Sequence, residues 1–347
     1  MDGILRDLSP FDEDEAIELQ LSELSDDDAV PRAVTPPPTL QQFHVFLETA
    51  EETAEDTVSI LLRLYNGGTP LFTKEAFRDA ADQLDRYLED ANSEHTVSLV
   101  GLDGTPVHFC FRVGQDVSKG SKLFWPGCKI VTAKPRLDYR GLFQLMSTDS
   151  SEPGGLGRAY LPIDIVQETE IRDVKTGELI VPWLMLNHDE VRERFYRDLA
   201  FWKRTVPFSH LRWLLGSTGI IHNIKNVVAF GCGTITRLKD QEMHQRSTSQ
   251  HALMLEVRDY IKKTLGVEVQ CFAQDPAYTS IDKQVLGELG ITVLDDPRAW
   301  LQVENGSVVI AIEPTIPTTE IIADIAKPGV IMMPVPPEEY SPPVWKT

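Results

Sequence analysis

The strand–helix alternation after Lys225 constrains this chain more than any other feature. Asn226–Phe230 is a short apolar run ending in Gly231-Cys232-Gly233, and a helix is expected from about Thr248, with Leu253, Val257, Ile261 and Leu265 on one face. Val267–Ala273, Ile291–Leu294, Val308–Ile312 and Val330–Val335 read as four further strands, with helices over Ile281–Leu289 and Thr319–Ala326 and a short turn or helix before Val308. Five strands joined by right-handed crossovers predict a Rossmann-like, mostly parallel sheet ordered 3-2-1-4-5. The fold class is therefore α/β.

In such sheets ligands lie beyond the carboxyl ends of the strands, where the order reverses. That rule selects Gly231, Cys232, Gly233 and Thr234 after the first strand, Asp275 after the second, and Glu313 with Pro314 after the fourth. Gln250 and His251, in the first turn of the expected helix, can face the same cleft. Glycines let backbone N–H groups approach a ligand without a Cβ in the way. The dinucleotide fingerprint nevertheless fails, because Thr236 stands where a third Gly or Ala belongs and polar residues separate the loop from the helix. A looser G-x-G suits an S-adenosylmethionine site, with Asp275 as the acid that holds the ribose hydroxyls. Asp275 lies farther along the chain than the roughly 20 residues of the dinucleotide pattern. The alternative is a purely structural glycine loop. The intervening segment carries Arg237, Lys239, His244 and Arg246 against Asp240 and Glu242 and reads as a solvated loop, with Ser247, Thr248 and Ser249 as helix caps. No catalytic constellation is visible.

Residues 41–185 read as an α+β region. Helices are expected from Gln41 to Asn66 and from Lys74 to Asn92, the second capped by Thr73. Strands are expected at Val97–Val100, Val107–Val113 and Cys128–Val131, with a turn at Asp103-Gly104, and a hairpin closes around Lys175-Thr176-Gly177. Ser147–Gly157 reads as an exposed loop. Asp189–Leu215 is helical, capped by Asp189 and broken at Pro207, and opens the C-terminal unit, 186–347.

Charge divides the chain differently. The total is −20, yet residues 1–28 hold 11 acids and the single base Arg6. Such a segment repels itself and buries too little to order, and Pro36-Pro37-Pro38 follows it, so residues 1–40 are expected to form a disordered tail. Its acids alternate with Leu5, Leu8, Phe11, Ile17 and Leu21, a pattern able to fold on a protein partner, though a solubilising tail is the simpler reading. An acidic start is unlike a secretory or mitochondrial leader. No apolar run spans a bilayer, and an acidic chain is ill suited to a phosphate backbone, which disfavours membrane and nucleic acid as partners. Cys110, Cys128, Cys232 and Cys271 lie far apart, which predicts free thiols, no zinc site and a cytoplasmic or nuclear location.

The order Val227–Thr234 (VVAFGCGT), Ser249–Leu253 (SQHAL), Gln274–Tyr278 (QDPAY) and Leu286–Leu294 (LGELGITVL) resembles the sensitivity-to-red-light-reduced domain family over about residues 190–335, as a fungal-type member with an N-terminal extension. The family ends its fourth strand with Met-Pro-His-Cys-Pro. This chain has Glu313-Pro314-Thr315-Ile316-Pro317, so His and Cys are replaced. The resemblance implies a regulatory protein without a settled reaction, and no cofactor is named. The expectation is a regulatory domain binding a nucleotide-type small molecule or a protein partner. A methyltransferase and a structural scaffold are the alternatives.

Overall fold

In the computed structural model, residues 44–46, 54–86, 94–118, 126–148, 155–181, 183–217, 224–238, 241–312 and 315–334 are described. The expected acidic tail, Glu313 and Pro314 lie outside them.

The five apolar runs form β1 (Asn226–Phe230), β2 (Gln270–Gln274), β3 (Ile291–Val293), β4 (Ser307–Ile310) and β5 (Val330–Met332). All pair in parallel, in the order β3-β2-β1-β4-β5. This is the expected 3-2-1-4-5 order. Every residue of β1 is buried, as a central parallel strand covered on both faces must be. The period of two divides its side chains: Val227 and Ala229 enter one core, Val228 and Phe230 the other.

Among the described residues six helices accompany the sheet: α1 (His188–Trp202), α2 (Val206–Ser217), α3 (Gln241–Leu265), α4 (Ser280–Glu288), α5 (Arg298–Gln302) and α6 (Thr318–Ile325). Val191 and Phe195 of α1, Met254, Val257 and Ile261 of α3, and Val285 and Leu286 of α4 fill one core. On the other face Trp300 of α5 stacks on Phe230, with ring centroids 3.6 Å apart. Ile321 and Ile322 of α6 join it there, as do Leu61, Phe72, Phe77 and Tyr139 from the preceding α+β region. The α+β region is also held by polar ties. Asp324 of α6 accepts the backbone N–H of Leu71 at 2.7 Å, and Tyr139 donates to Asp296.

That region holds helices Ala54–Asn66 and Lys74–Arg86, the second capped by Thr73 Oγ1 as expected. Strands Glu94–Val100 and Pro106–Arg112 form the expected hairpin, and Gly104 takes a left-handed φ of 85° in its turn. Thr169–Asp173 pairs mainly with Cys128–Thr132, while the expected hairpin at Gly177 is reduced to a bridge between Arg172 and Leu179.

Several expectations need correction. His44–Phe46, expected to be helical, is a strand pairing with His108–Cys110; that pairing is non-local and leaves no trace in local periodicity. Gly155–Arg158 forms one helical turn that takes in the last three residues of the expected loop. The α1 cap is Asn187, whose side chain accepts from Glu190 N–H in a reciprocal capping box, and Asp189 is already helical. The break between α1 and α2 falls at Lys203–Thr205; Pro207 sits in the first turn of α2, where its missing N–H costs nothing. Finally, α3 begins at Gln241, well before Thr248. Ser247, Thr248 and Ser249 are therefore interior residues, and His244 belongs to a buried helix face, not to a solvated loop.

Candidate functional site

The glycine loop leaves β1 in a conformation that L side chains rarely adopt: φ is 68° at Gly231 and 73° at Gly233. A Cβ at Gly233 would also stand 2.5 Å from Ser247 Oγ, so α3 packs on the loop only because that residue is glycine. Gly231 donates its N–H to Gln274 O at 3.2 Å, which ties the loop to the end of β2.

Two carboxylates complete the loop's hydrogen bonding. Asp275 Oδ2 accepts Gly233 N–H at 2.7 Å, and its Oδ1 accepts Ala277 N–H at 2.8 Å. Asp282 of α4 is fully buried. Its Oδ1 accepts Ile235 N–H at 2.8 Å, while Oδ2 accepts the hydroxyls of Thr234 and Thr279, each at 2.7 Å. Thr279 in return caps α4 by accepting Asp282 N–H. Two amides of the loop, those of Gly233 and Ile235, are thus held by acids of its own chain. Asp282 was missed from sequence, although Thr279-x-x-Asp282 has the spacing of a capping box ahead of a helix.

Beneath the loop lies a buried chain of titratable groups. His251 Nδ1 is 2.6 Å from Ser247 O, which only accepts, so this nitrogen carries the proton. Burial lowers the His251 pKa, leaving the ring neutral, and its Nε2 accepts from the Tyr278 hydroxyl at 2.8 Å. Burial pushes the neighbouring Cys232 thiol up to about 12. Burial raises the Tyr278 hydroxyl as well. All three remain neutral near pH 7.

The first turns of α3 carry an unusual face. His244, Ser247, Thr248, Gln250 and His251 are all buried polar residues, whereas farther along the helix Met254, Val257 and Ile261 make apolar core. Ser247 and His251 are used as described. Both ring nitrogens of His244, Thr248 Oγ1 and Gln250 Oε1 are buried without a hydrogen-bond partner among the described residues. His244 Nε2 lies 3.5 Å from Asp198 Oδ2 of α1. Burial, reinforced by Arg194, lowers the His244 pKa. Arg237 follows the loop in a two-residue strand, Arg237–Leu238, that pairs with Leu184–Met185. Its guanidinium lies 4.1 Å from the centre of the Trp183 ring.

The structure thus brings Gly231, Cys232, Gly233, Thr234 and Asp275 together and places Gln250 one turn beyond Ser247 on the same helix. A groove of about 500 Å³ opens elsewhere, between Thr69–Ala76, Leu99–Leu102 and Pro162-Ile163. It contains none of these unpartnered atoms. Among the described residues no helix is long and apolar enough to cross a membrane.

Residues 211–330 match the family model of the SRR1 domain, from within α2 to the first residue of β5. This is the family that the sequence resembles, and the matched stretch, about a third of the chain, contains the glycine loop, Asp275 and Asp282. No curated protein and no solved structure matches the chain.

Proposed function

We propose that the C-terminal sheet is a regulatory, non-catalytic ligand-binding module of the SRR1-like type. In this reading the chain is a fungal-type member of that family. The module takes a nucleotide-type small molecule at the carboxyl ends of β1 and β2. One observation carries the reading: His244, Thr248 and Gln250 hold buried polar atoms without partners among the described residues, beside a loop whose Gly233 and Ile235 amides are already engaged. Each such atom costs roughly 1–3 kcal/mol when left unpaired, so a ligand that supplies partners gains affinity at once. A non-catalytic role fits the neighbouring groups. The thiol of Cys232, the phenol of Tyr278 and the imidazole of His251 are buried and neutral, and the last two bond each other, which leaves none poised for proton transfer near pH 7.

An S-adenosylmethionine-dependent methyltransferase is the competing reading. It needs the Asp275 carboxylate for ribose hydroxyls, and both of its oxygens already hold backbone N–H groups. The acidic segment 1–40, outside the described residues, is the part of the chain we assign to a protein partner.

A thermal-shift panel of S-adenosylmethionine, NAD, NADP and adenine nucleotides tests the module. A true ligand at about 100 times its dissociation constant adds roughly 2.7 kcal/mol and raises the melting temperature. No shift with any member would overturn the reading. Turnover of S-adenosylmethionine to S-adenosylhomocysteine with an acceptor would favour the methyltransferase.

A further inference from the structure

We propose that the open end of the strand Glu94–Val100 is a docking site for an extended, basic peptide segment of a protein partner. The site is separate from the glycine loop and goes beyond the ligand-binding reading above.

Backbone geometry is the first argument. Among the described residues Glu94–Val100 is an edge strand of the sheet it forms with Pro106–Arg112 and His44–Phe46. Along an antiparallel edge every second residue turns its N–H and C=O outward. Ser98 does so, and the side-chain amide of Gln83, on helix Lys74–Arg86, takes both groups. Its Oε1 accepts Ser98 N–H at 2.9 Å and its Nε2 donates to Ser98 O at 2.8 Å. That amide stands in for one residue of a neighbouring strand. Two residues on, Val100 has the same outward orientation, and Pro106 opposite it has no N–H to give. Farther along, Leu102 N–H is again taken, by Tyr160 O at 2.9 Å. Among the described residues the edge is thus closed at Ser98 and Leu102 and open at Val100, which is 64% exposed.

The groove is the second. Its volume of about 500 Å³ lies at this opening, between Val100 and Leu102 on one side and Ala76 and Asp79 of the helix on the other. An extended segment laid there pairs its backbone with Val100 and sets alternate side chains into the groove. Charge gives the partner its sign. Glu75 and Asp79 line the groove, and among the described residues no base does. Lys74 is turned away and donates to the carbonyls of Leu301 and Val303. Arg78 reaches Glu75 only at 3.9 Å, with both side chains exposed, which neutralises little. Asp79 Oδ2 steadies the Gln83 amide at 2.8 Å and keeps its charge at the rim.

The test is fluorescence anisotropy of the full chain with labelled Val-Lys-Val-Lys-Val, capped at both ends, and with the same peptide carrying Glu for Lys. The lysine peptide is expected to bind at least tenfold more tightly than the glutamate peptide. Two N-methylated forms of the lysine peptide, one blocked at its valines and one at its lysines, read the backbone. Alternate N–H groups of a strand face opposite edges, so one form is expected to lose at least tenfold and the other to keep its affinity. Val100→Pro removes the outward donor without touching the ladder to Pro106–Arg112, and is expected to weaken the peptide at least tenfold. Should that variant fail to fold, Ala76→Trp, which fills the groove from the exposed helix face, carries the test. No binding, equal binding of the two peptides, equal affinity of the two N-methylated forms, or wild-type affinity in the variants overturns the proposal. A wild-type chain that dimerises on sedimentation, where Val100→Pro does not, overturns it too and gives the edge to a second copy.

Discussion

Asp275 Oδ2 accepts the backbone N–H of Gly233 at 2.7 Å, so the acid expected to hold a ligand instead holds the loop. This contact divides the site in two. The glycine loop, Asp275 and Asp282 form an internally satisfied frame, and the unsatisfied groups lie next to it on α3 and α1.

The frame predicts a graded pair of losses. In Asp275→Asn the amide oxygen keeps one backbone N–H, while its NH2 faces the other donor, so about 1–3 kcal/mol of stability is lost. Asp282→Ala strands Ile235 N–H and the hydroxyls of Thr234 and Thr279 together, and costs at least about 3 kcal/mol. Urea unfolding midpoints rank the two. Equal midpoints would contradict the assignment of Asp282 as the principal anchor.

Gly233 and Gly104 separate two causes of glycine requirement. Both have left-handed φ, 73° and 85°, but a Cβ at Gly104 meets nothing within 4 Å, whereas one at Gly233 meets Ser247 Oγ. Gly104→Ala is expected to cost the conformational penalty alone, roughly 1–2 kcal/mol. Gly233→Ala adds the displacement of Ser247 from the loop. Thermal unfolding of the two variants measures the difference, and a Gly233 variant no worse than the Gly104 variant would show that α3 does not press on the loop.

Thiol accessibility follows from burial. Burial pushes both the Cys232 and Cys271 thiols up to about 12, so neither offers thiolate at neutral pH. Cys110 and Cys128 are partly exposed. A disulfide reagent is expected to modify two thiols in the folded chain and all four after unfolding in urea. Native labelling of Cys232, read by peptide mass, would contradict the closed arrangement around Tyr278.

Asp296 supplies a pH dependence whose sign is fixed. Burial raises its pKa to about 6, with Tyr139 and Gln274 donating to Oδ1. The folded state therefore holds this proton more tightly than the unfolded chain does. Its contribution is complete below the unfolded pKa and is lost as pH rises through about 6. Asp296→Asn keeps the acceptor and cannot ionise. The variant should match wild type near pH 4 and exceed it by on the order of 2–3 kcal/mol at pH 7. Parallel urea titrations at the two pH values read this difference, and a constant offset between the proteins would rule it out.

The sheet was readable from the sequence because its signals are local. Short apolar runs alternate with helical faces, and β1 shows the pattern in Val227, Val228, Ala229 and Phe230. The start of α3 was not readable. Ser247, Thr248 and Ser249 look like caps only if their side chains are free to fold back on the backbone, and here Ser247 is pressed against Gly233. The cluster of Arg194 with His244 was equally hidden. Its members sit on helices separated by two strands and another helix, and only the packing of α1 on α3 brings them together.

The most direct test of the account is the histidine side-chain nitrogen spectrum of the full chain as AMP is added. Resonances are assigned by His244→Gln and His251→Gln. His244, whose ring nitrogens have no hydrogen-bond partner among the described residues, is expected to shift as it gains hydrogen bonds, while His251, held between Ser247 and Tyr278, stays in place. An unmoved His244 at saturating AMP would contradict the claim that the polar face of α3 is the binding surface.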